Sequence, residues 1–146
     1  MGRVLAFVSA GLVFFMALLL AAVYFTRDED NLQADNLLAE EFTKEVARVS
    51  QEGGGELSLR DLATFPWDRA LLVASGTPRA EISRRLGREW TGIDTVDGGD
   101  LLIFLRDDVV VRFFDYRGVG RFEGFARPID DLPPELRVNR LVIRPA

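Results

Sequence analysis

An apolar segment at the start of the chain constrains the fold more than any other feature. It runs from Val4 to Phe25 and is interrupted only by Ser9, Gly11 and Tyr24. Basic residues flank it on both sides. A helix of about 20 apolar residues is long enough to span the hydrocarbon core of a bilayer. The sequence therefore predicts a transmembrane anchor over residues 1–26, with the lipid bilayer as its first partner.

A cleaved signal peptide is the alternative interpretation of this segment. Its apolar region is only about 7–15 residues long and ends at a small-x-small cleavage site. The segment here is longer, and Ala21 and Ala22 do not lie in such a frame. Tyr24 and Phe25 are typical of aromatic residues at the membrane edge. We therefore expect an uncleaved, single-pass anchor, and the absence of cysteine excludes lipid attachment through a cysteine.

The orientation of the anchor follows from the basic residues beside it. Arg3 and the terminal amine lie on the short side, and Arg27 lies on the long side. Lysine and arginine close to a span favour the cytoplasmic side, whereas acidic residues contribute little. This bias predicts a cytoplasmic N-terminus and an extracytoplasmic C-terminal domain at the cell membrane.

The composition excludes several kinds of chemistry. The chain has no histidine and no cysteine, which rules out a disulfide framework, a thiol nucleophile, a zinc finger and a Ser-His-Asp triad. From Arg27 to Glu56 there are nine acidic and three basic residues, whereas from Leu57 onward the two signs balance at fourteen each. No basic stripe of the kind that nucleic acid requires is present. We expect no nucleic-acid partner, no metal, no small-molecule cofactor and no catalytic residue.

The acidic segment of residues 27–56 is predicted to form a stalk helix that ends in a glycine linker. Its apolar residues recur at helical spacing on one face: Leu38, Phe42, Val46 and Val49. Two interpretations of this stripe remain open. It packs on the sheet of the following domain, or it forms a short coiled coil or a partner-binding helix beside the membrane.

Residues 57–146 are predicted to form a small α+β domain, in which a mostly antiparallel sheet packs with one main helix. Ser58 begins a capping box for a short helix, and Thr77 is predicted to cap the main helix, which ends at Gly87. The predicted strands cover residues 69–75, a short segment around residues 92–96, a hairpin, and residues 138–144.

The hairpin is the clearest element of this domain. Two apolar runs, residues 101–106 and 109–116, flank the turn Asp107-Asp108. Both faces of the hairpin are apolar, whereas a strand with one wet face alternates apolar and polar residues. We therefore expect the main helix to cover one face and the stalk helix the other. Val111 and Phe113 are predicted to share a face, and Phe114 to point to the opposite one.

Two clusters of aromatic and charged residues are candidates for binding a partner. They are Trp67, Asp68 and Arg69 in the first cluster, and Arg121, Phe122 and Phe125 in the second. The alternative for the first cluster is structural: it plugs the end of a sheet, with Asp68 accepting backbone N–H bonds. The second cluster lies in a glycine-rich connection that is not followed by a helix, so it does not match a dinucleotide fingerprint.

Part of the chain resembles a group of small, uncharacterised bacterial envelope proteins, many of them lipoproteins. The resemblance rests on the strand that starts at Trp67-Asp68-Arg69, the helix that begins at Thr77-Pro78 and ends at Leu86-Gly87, and the following hairpin. It covers residues 59–116, and an apolar anchor stands where a lipid-bearing cysteine would lie. The order of elements is also similar to that of outer-membrane assembly lipoproteins and β-lactamase inhibitor repeats. Neither likeness implies an activity.

These features predict a membrane-anchored, extracytoplasmic binding or scaffold module of the bacterial cell envelope, with an envelope protein as its partner. One alternative is an inhibitor or immunity-type module that acts on an envelope enzyme. Another is a small hydrolase that uses carboxylates or a serine. A raised carboxyl pKa in a cleft would favour the hydrolase, whereas an exposed apolar patch would favour the binding module.

The predicted orientation can be measured with reporter fusions placed after Ala146. A reporter that is active only outside the cytoplasm should be active there, and one that is active only in the cytoplasm should be silent, because the anchor exports the domain. The reverse pattern would show that the orientation is wrong.

Overall fold

This computed structural model describes residues 16–17, 34–93, 95 and 98–146, and three helices and eight strands follow one another in its part from Asn36 onward. The helices are α1 (Asn36–Gln51), α2 (Leu59–Leu62) and α3 (Arg79–Leu86). The strands are β1 (Gly55–Ser58), β2 (Arg69–Val73), β3 (Asp100–Arg106), β4 (Val109–Tyr116), β5 (Arg121–Phe122), β6 (Ile129–Asp131), β7 (Glu135–Asn139) and β8 (Val142–Pro145).

The predicted anchor, from Val4 to Phe25, lies outside the described residues apart from Met16 and Ala17. Among the helices of the described part, none combines the length and the apolar character that crossing a membrane requires. The anchor therefore stays a prediction from the sequence.

The strands form two four-stranded sheets. The first has the order β4-β3-β2-β6 and is antiparallel throughout. The second has the order β1-β7-β8-β5 and is antiparallel except for the parallel pair β5–β8. The predicted class, α+β with mostly antiparallel strands, is confirmed. The division into two sheets was not predicted, because most strands of the second sheet are short and lie among glycines and prolines that hide their alternation.

Strands β2 and β3 lie at the centre of the first sheet, and both of their faces are buried. Leu72 and Phe104 point to one face and belong to a core that also contains residues of the second sheet. Leu71 and Ile103 point to the opposite face, into a smaller core beneath α3. The prediction that both faces of the hairpin are covered is confirmed for β3 and for Phe113 and Phe114 of β4, whereas Val109 and Val111 of β4 are exposed.

Helix α1 covers the first of these faces with its predicted apolar stripe. The helix begins at Asp35, whose side chain accepts a hydrogen bond of 3.0 Å from the backbone N–H of Leu38. Phe42 is fully buried, and its ring centroid lies 5.7 Å from that of Phe114 and 5.1 Å from that of Tyr116. The structure therefore agrees with the first interpretation of the stripe, in which it packs on the sheet of the same domain.

The connection from α1 to β1 is a tight turn, whereas the sequence suggested a linker. Gly53 and Gly54 have φ angles of 96° and 102°, a region that L-residues rarely adopt. The N–H of Gly54 donates to the carbonyl of Val49 over 2.9 Å, which closes the end of the helix. The boundary predicted between residues 56 and 57 therefore falls inside β1, and α1 belongs to the compact unit Leu32–Ala146.

Helix α3 covers the second face of the sheet. Ile82 is its buried residue, and Trp90 packs beside it with its ring 5.1 Å from that of Phe113. The helix ends at Gly87 with a φ of 70°, as predicted. The predicted cap Thr77 is wrong by one residue: Pro78 occupies that position, and the Thr77 hydroxyl donates to the carbonyl of Ala74.

Three further local predictions were wrong. Ser58 occupies the N-cap position of α2 as predicted, but the capping box does not form, because its hydroxyl donates to Glu135 over 3.0 Å. The predicted final strand is a hairpin, because Arg140 and Leu141 adopt φ angles of 48° and 61° and turn the chain between β7 and β8. Within residues 92–96, the described positions form no strand.

A β-bulge changes the faces of strand β4 from those predicted. Phe104 pairs with Arg112, whereas the next residue of β3 pairs with Val110, so Val111 is the extra residue. Val110 consequently packs on the same core as Phe113, and Val111 is 36% exposed. The prediction that Val111 shares a buried face with Phe113 is therefore wrong, because strict alternation does not continue through a bulge.

Truncation of the buried aromatic residues of β4 tests whether they lie in two separate cores. Phe113→Ala and Phe114→Ala should each lower the free energy of unfolding by about 3–5 kcal/mol, because each removes a buried ring from a different core. Val111→Ala is the control on the same strand and should cost less than about 1 kcal/mol. Urea unfolding of the full chain in detergent gives these values. Equal losses at all three positions would contradict the two-core arrangement.

Candidate functional site

The first predicted cluster is largely structural. Trp67 is 7% exposed, and its ring packs edge-to-face on Phe104 at 5.2 Å. Its indole N–H donates to the carbonyl of Ala63 over 3.1 Å, and the guanidinium of Arg60 lies 4.4 Å from the ring centroid. The indole therefore fills the core at the end of the first sheet and is covered from outside by Arg60.

The two charged residues of this cluster stay at the surface. The carboxylate of Asp68 accepts a 2.7 Å hydrogen bond from the backbone N–H of Asp107, which holds the hairpin turn. This contact agrees with the structural alternative for the cluster. Arg69 donates from Nε to Asp131 over 2.9 Å.

The second predicted cluster lies at β5 and contributes another buried ring. Phe122 is 8% exposed and packs against Tyr116 at 5.6 Å and Phe125 at 5.9 Å. Arg121 donates to Glu123 over 2.7 Å, and Arg144 donates to the same carboxylate over 2.7 Å. The hydrogen bond from Arg144, followed by that from Arg121, lowers the pKa of Glu123. Among the described residues, no recorded hydrogen bond, ion pair or ring contact joins this cluster to the first one.

A groove that was not predicted lies beside the point at which the chain enters α1. We call it the N-terminal groove; its cavity of about 340 Å³ is lined by Asp35, Leu37, Leu38, Glu41, Leu62, Thr64, Phe65 and Arg112. Arg112 lies over the ring of Phe65 at 5.2 Å and pairs with Asp35 at 3.5 Å. Leu37 is 75% exposed. The signal in the sequence was Leu37 itself, an apolar residue outside the buried stripe of its helix.

A second groove lies on the opposite face of the first sheet, between α3 and β6. We call it the arginine groove; its cavity of about 320 Å³ is lined by Glu81, Arg84, Arg85, Pro128 and Ile129. At its edge, Asp131 accepts hydrogen bonds of 2.9 Å from Arg69 and from Arg85. Burial raises the pKa of Asp131, but the hydrogen bonds and positive charges of these arginines outweigh it and leave the pKa lowered.

The carboxyl pKa shifts resolved among the described residues all have the same direction. The pKa of each carboxyl with a resolved shift is lowered by a basic partner, as at Glu40, Glu45, Glu123 and Asp131. Within the described part of the chain, no group of acidic residues has the arrangement of a metal site.

Comparison of the chain with protein-family models, curated proteins and solved structures finds no match. The resemblance to small envelope proteins therefore stays a prediction from the sequence motifs.

The role of Asp131 can be measured by its effect on stability at two pH values. Asp131→Asn should lower the free energy of unfolding at pH 7 by no more than about 1 kcal/mol, since its ion pairs are exposed. Because the pKa is lowered in the folded state, the stabilisation is fully present above the usual aspartate pKa of about 4. It is lost as the pH falls through the lowered value. Urea unfolding at a series of acidic pH values should therefore show the two free energies of unfolding converging as the pH falls below the lowered pKa; a difference that stays constant would contradict the ion-pair network.

Proposed function

We propose that this chain is a membrane-anchored, extracytoplasmic binding module of the bacterial cell envelope, and that an envelope protein binds in the N-terminal groove. The observation that carries the proposal is the exposure of Leu37 in a groove that also contains the ring of Phe65. Exposed apolar residues grouped in a concave surface are typical of protein-interaction sites.

The composition of the groove fits a protein partner. Leu37, Leu62 and Phe65 contribute apolar side chains to its lining, and Asp35 and Arg112 line it as an ion pair. Protein interfaces combine apolar contacts with polar groups in this way. Aromatic and arginine side chains are also the types that contribute most to binding energy.

The location of the groove fits the predicted anchor. Asp35 and Leu37 belong to the first turn of α1, where the chain enters its folded unit, and they are the groove residues nearest in sequence to the apolar segment. The apolar segment and this groove are therefore assigned to one function, in which the segment attaches the chain to the membrane and the groove binds the partner.

The hydrolase alternative receives less support. The carboxylates with resolved pKa shifts are held in the charged form by arginine or lysine, and four of these basic partners, Lys44, Arg48, Arg69 and Arg144, pair with them at 2.5–2.9 Å. A carboxylate that such a pair holds in the charged form has no proton to donate near pH 7. The inhibitor alternative differs from the scaffold only in the identity of the partner.

Site-specific photocrosslinking in the membrane tests this proposal. A photoreactive residue placed at Leu37 in the full chain should form a discrete adduct with one membrane or envelope protein, because its side chain faces the groove. Val119, which is 63% exposed and lies between β4 and β5, is the matched control and should form none. The adduct should disappear when Phe65→Asp is introduced, because a charge then replaces the aromatic ring that lines the groove.

The outcomes separate the candidate functions. The proposal is wrong if Leu37 forms no adduct, or if Leu37 and Val119 trap the same set of proteins. An adduct with an enzyme whose activity falls on binding would favour the inhibitor alternative. Circular dichroism of Phe65→Asp is the control for folding, since the ring also contacts Phe104 at 5.4 Å.

A further inference from the structure

The arginine groove is built by regular elements on both sides. Ile129 pairs with Val73 in the first sheet, and the carbonyl of Pro128 accepts a 2.8 Å hydrogen bond from the N–H of Ala74. On the other side, Ile82 is buried at 1% exposure and fixes α3 against the same sheet. Arg84 and Arg85 therefore project from a helix whose rotation is set by its core contact.

The charges at the groove are arranged around a carboxylate of the chain itself. Asp131 bridges Arg69 and Arg85, with N–O distances of 2.9 Å to each. Arg84 also lines the groove, and no carboxylate among the described residues forms an ion pair with it. An arginine has five N–H donors in a planar fork, so Arg84 and the unused donors of Arg85 can bind a further carboxylate.

The neighbouring residues narrow the class of ligand. Pro128 and Ile129 give the groove an apolar side that inorganic phosphate or a free carboxylate would leave unused. Glu81 and Asp131 lie among the arginines, and their charges would repel the continuous negative surface of an anionic bilayer or of nucleic acid. A peptide can place one carboxylate on the arginines and an apolar side chain beside it.

We propose that the arginine groove binds an acidic peptide segment of a partner protein, with a carboxylate on Arg84 and Arg85 and an adjacent apolar side chain against Pro128 and Ile129. This site lies on the opposite face of the first sheet from α1. It is independent of the N-terminal groove and gives the domain a second recognition surface.

Fluorescence polarisation with the full chain in detergent tests the proposal. The probe is a labelled peptide of alternating glutamate and leucine. Two control peptides replace all glutamates by glutamine or all leucines by serine, and both should bind about ten-fold more weakly or worse. Affinity for the probe should fall as salt rises, because the contact is an exposed ion pair.

Charge-reversal variants localise the contact. Arg84→Glu and Arg85→Glu should each weaken binding of the glutamate–leucine peptide about ten-fold or more. Arg137→Glu is the matched control, since Arg137 is 64% exposed on β7 and its reversal changes the net charge equally. It should leave the affinity within about two-fold of the unaltered chain, since a distant exposed charge is screened.

Several results would overturn the proposal. One is that Arg137→Glu weakens peptide binding as much as Arg84→Glu and Arg85→Glu do, which would indicate non-specific electrostatic attraction. Another is equal affinity for the leucine and serine peptides, which would remove the apolar contact. If the peptide does not bind at millimolar concentration, the whole site is wrong. Vesicles of phosphatidylglycerol that bind the chain through Arg84 more tightly than the peptide does would assign the groove to a membrane. The Leu37 crosslink is unaffected by each of these results.

Discussion

The burial of both faces of β2 and β3 governs the architecture of this domain. Their side chains are apolar at successive positions, so neither face can be left in water without a large loss of hydrophobic free energy. The neighbouring strands β4 and β6 form backbone hydrogen bonds with β3 and β2. The two faces of the sheet must therefore be buried by other elements, a different set on each face. Helix α1 with the second sheet covers one face, and α3 with Trp90 covers the other.

This arrangement explains why α1 packs on the domain. Phe42, Phe114, Tyr116 and Phe122 form one aromatic cluster that joins the helix, the first sheet and the second sheet. Ring pairs at these distances contribute about 0.5–1.5 kcal/mol each beyond the burial of area. The polar side of α1 then faces outward, with ion pairs such as Lys44–Glu40 and Arg48–Glu45 along the helix. Helix α1 thus buries the core with its apolar side and exposes its charged side to solvent.

Each candidate binding surface lies at the edge of a helix that packs on one face of the first sheet. The N-terminal groove borders the first turn of α1, and the arginine groove borders α3. At such margins a helix no longer fills the space above the sheet, so side chains from neighbouring elements meet around a cavity. The large aromatic residues predicted from the sequence to bind a partner are buried in the structure. Trp67 and Phe122 are buried because large rings near the end of a sheet complete its core. Phe65, two residues before Trp67, is the aromatic residue that lines a groove.

Local patterns in the chain were sufficient to predict the α+β class, the β3–β4 hairpin, strand β2, the apolar stripe of α1 and the end of α3 at Gly87. These depend on side-chain periodicity and on turn residues, which act over a few positions. The second sheet, the bulge at Val111 and the pairing of Arg69 and Arg85 with Asp131 depend on residues far apart in the chain. Neither groove could be predicted, because each brings together side chains from separate elements. Whether an aromatic residue is buried or exposed is set by the elements packed above it, and those contacts are formed only when the chain folds.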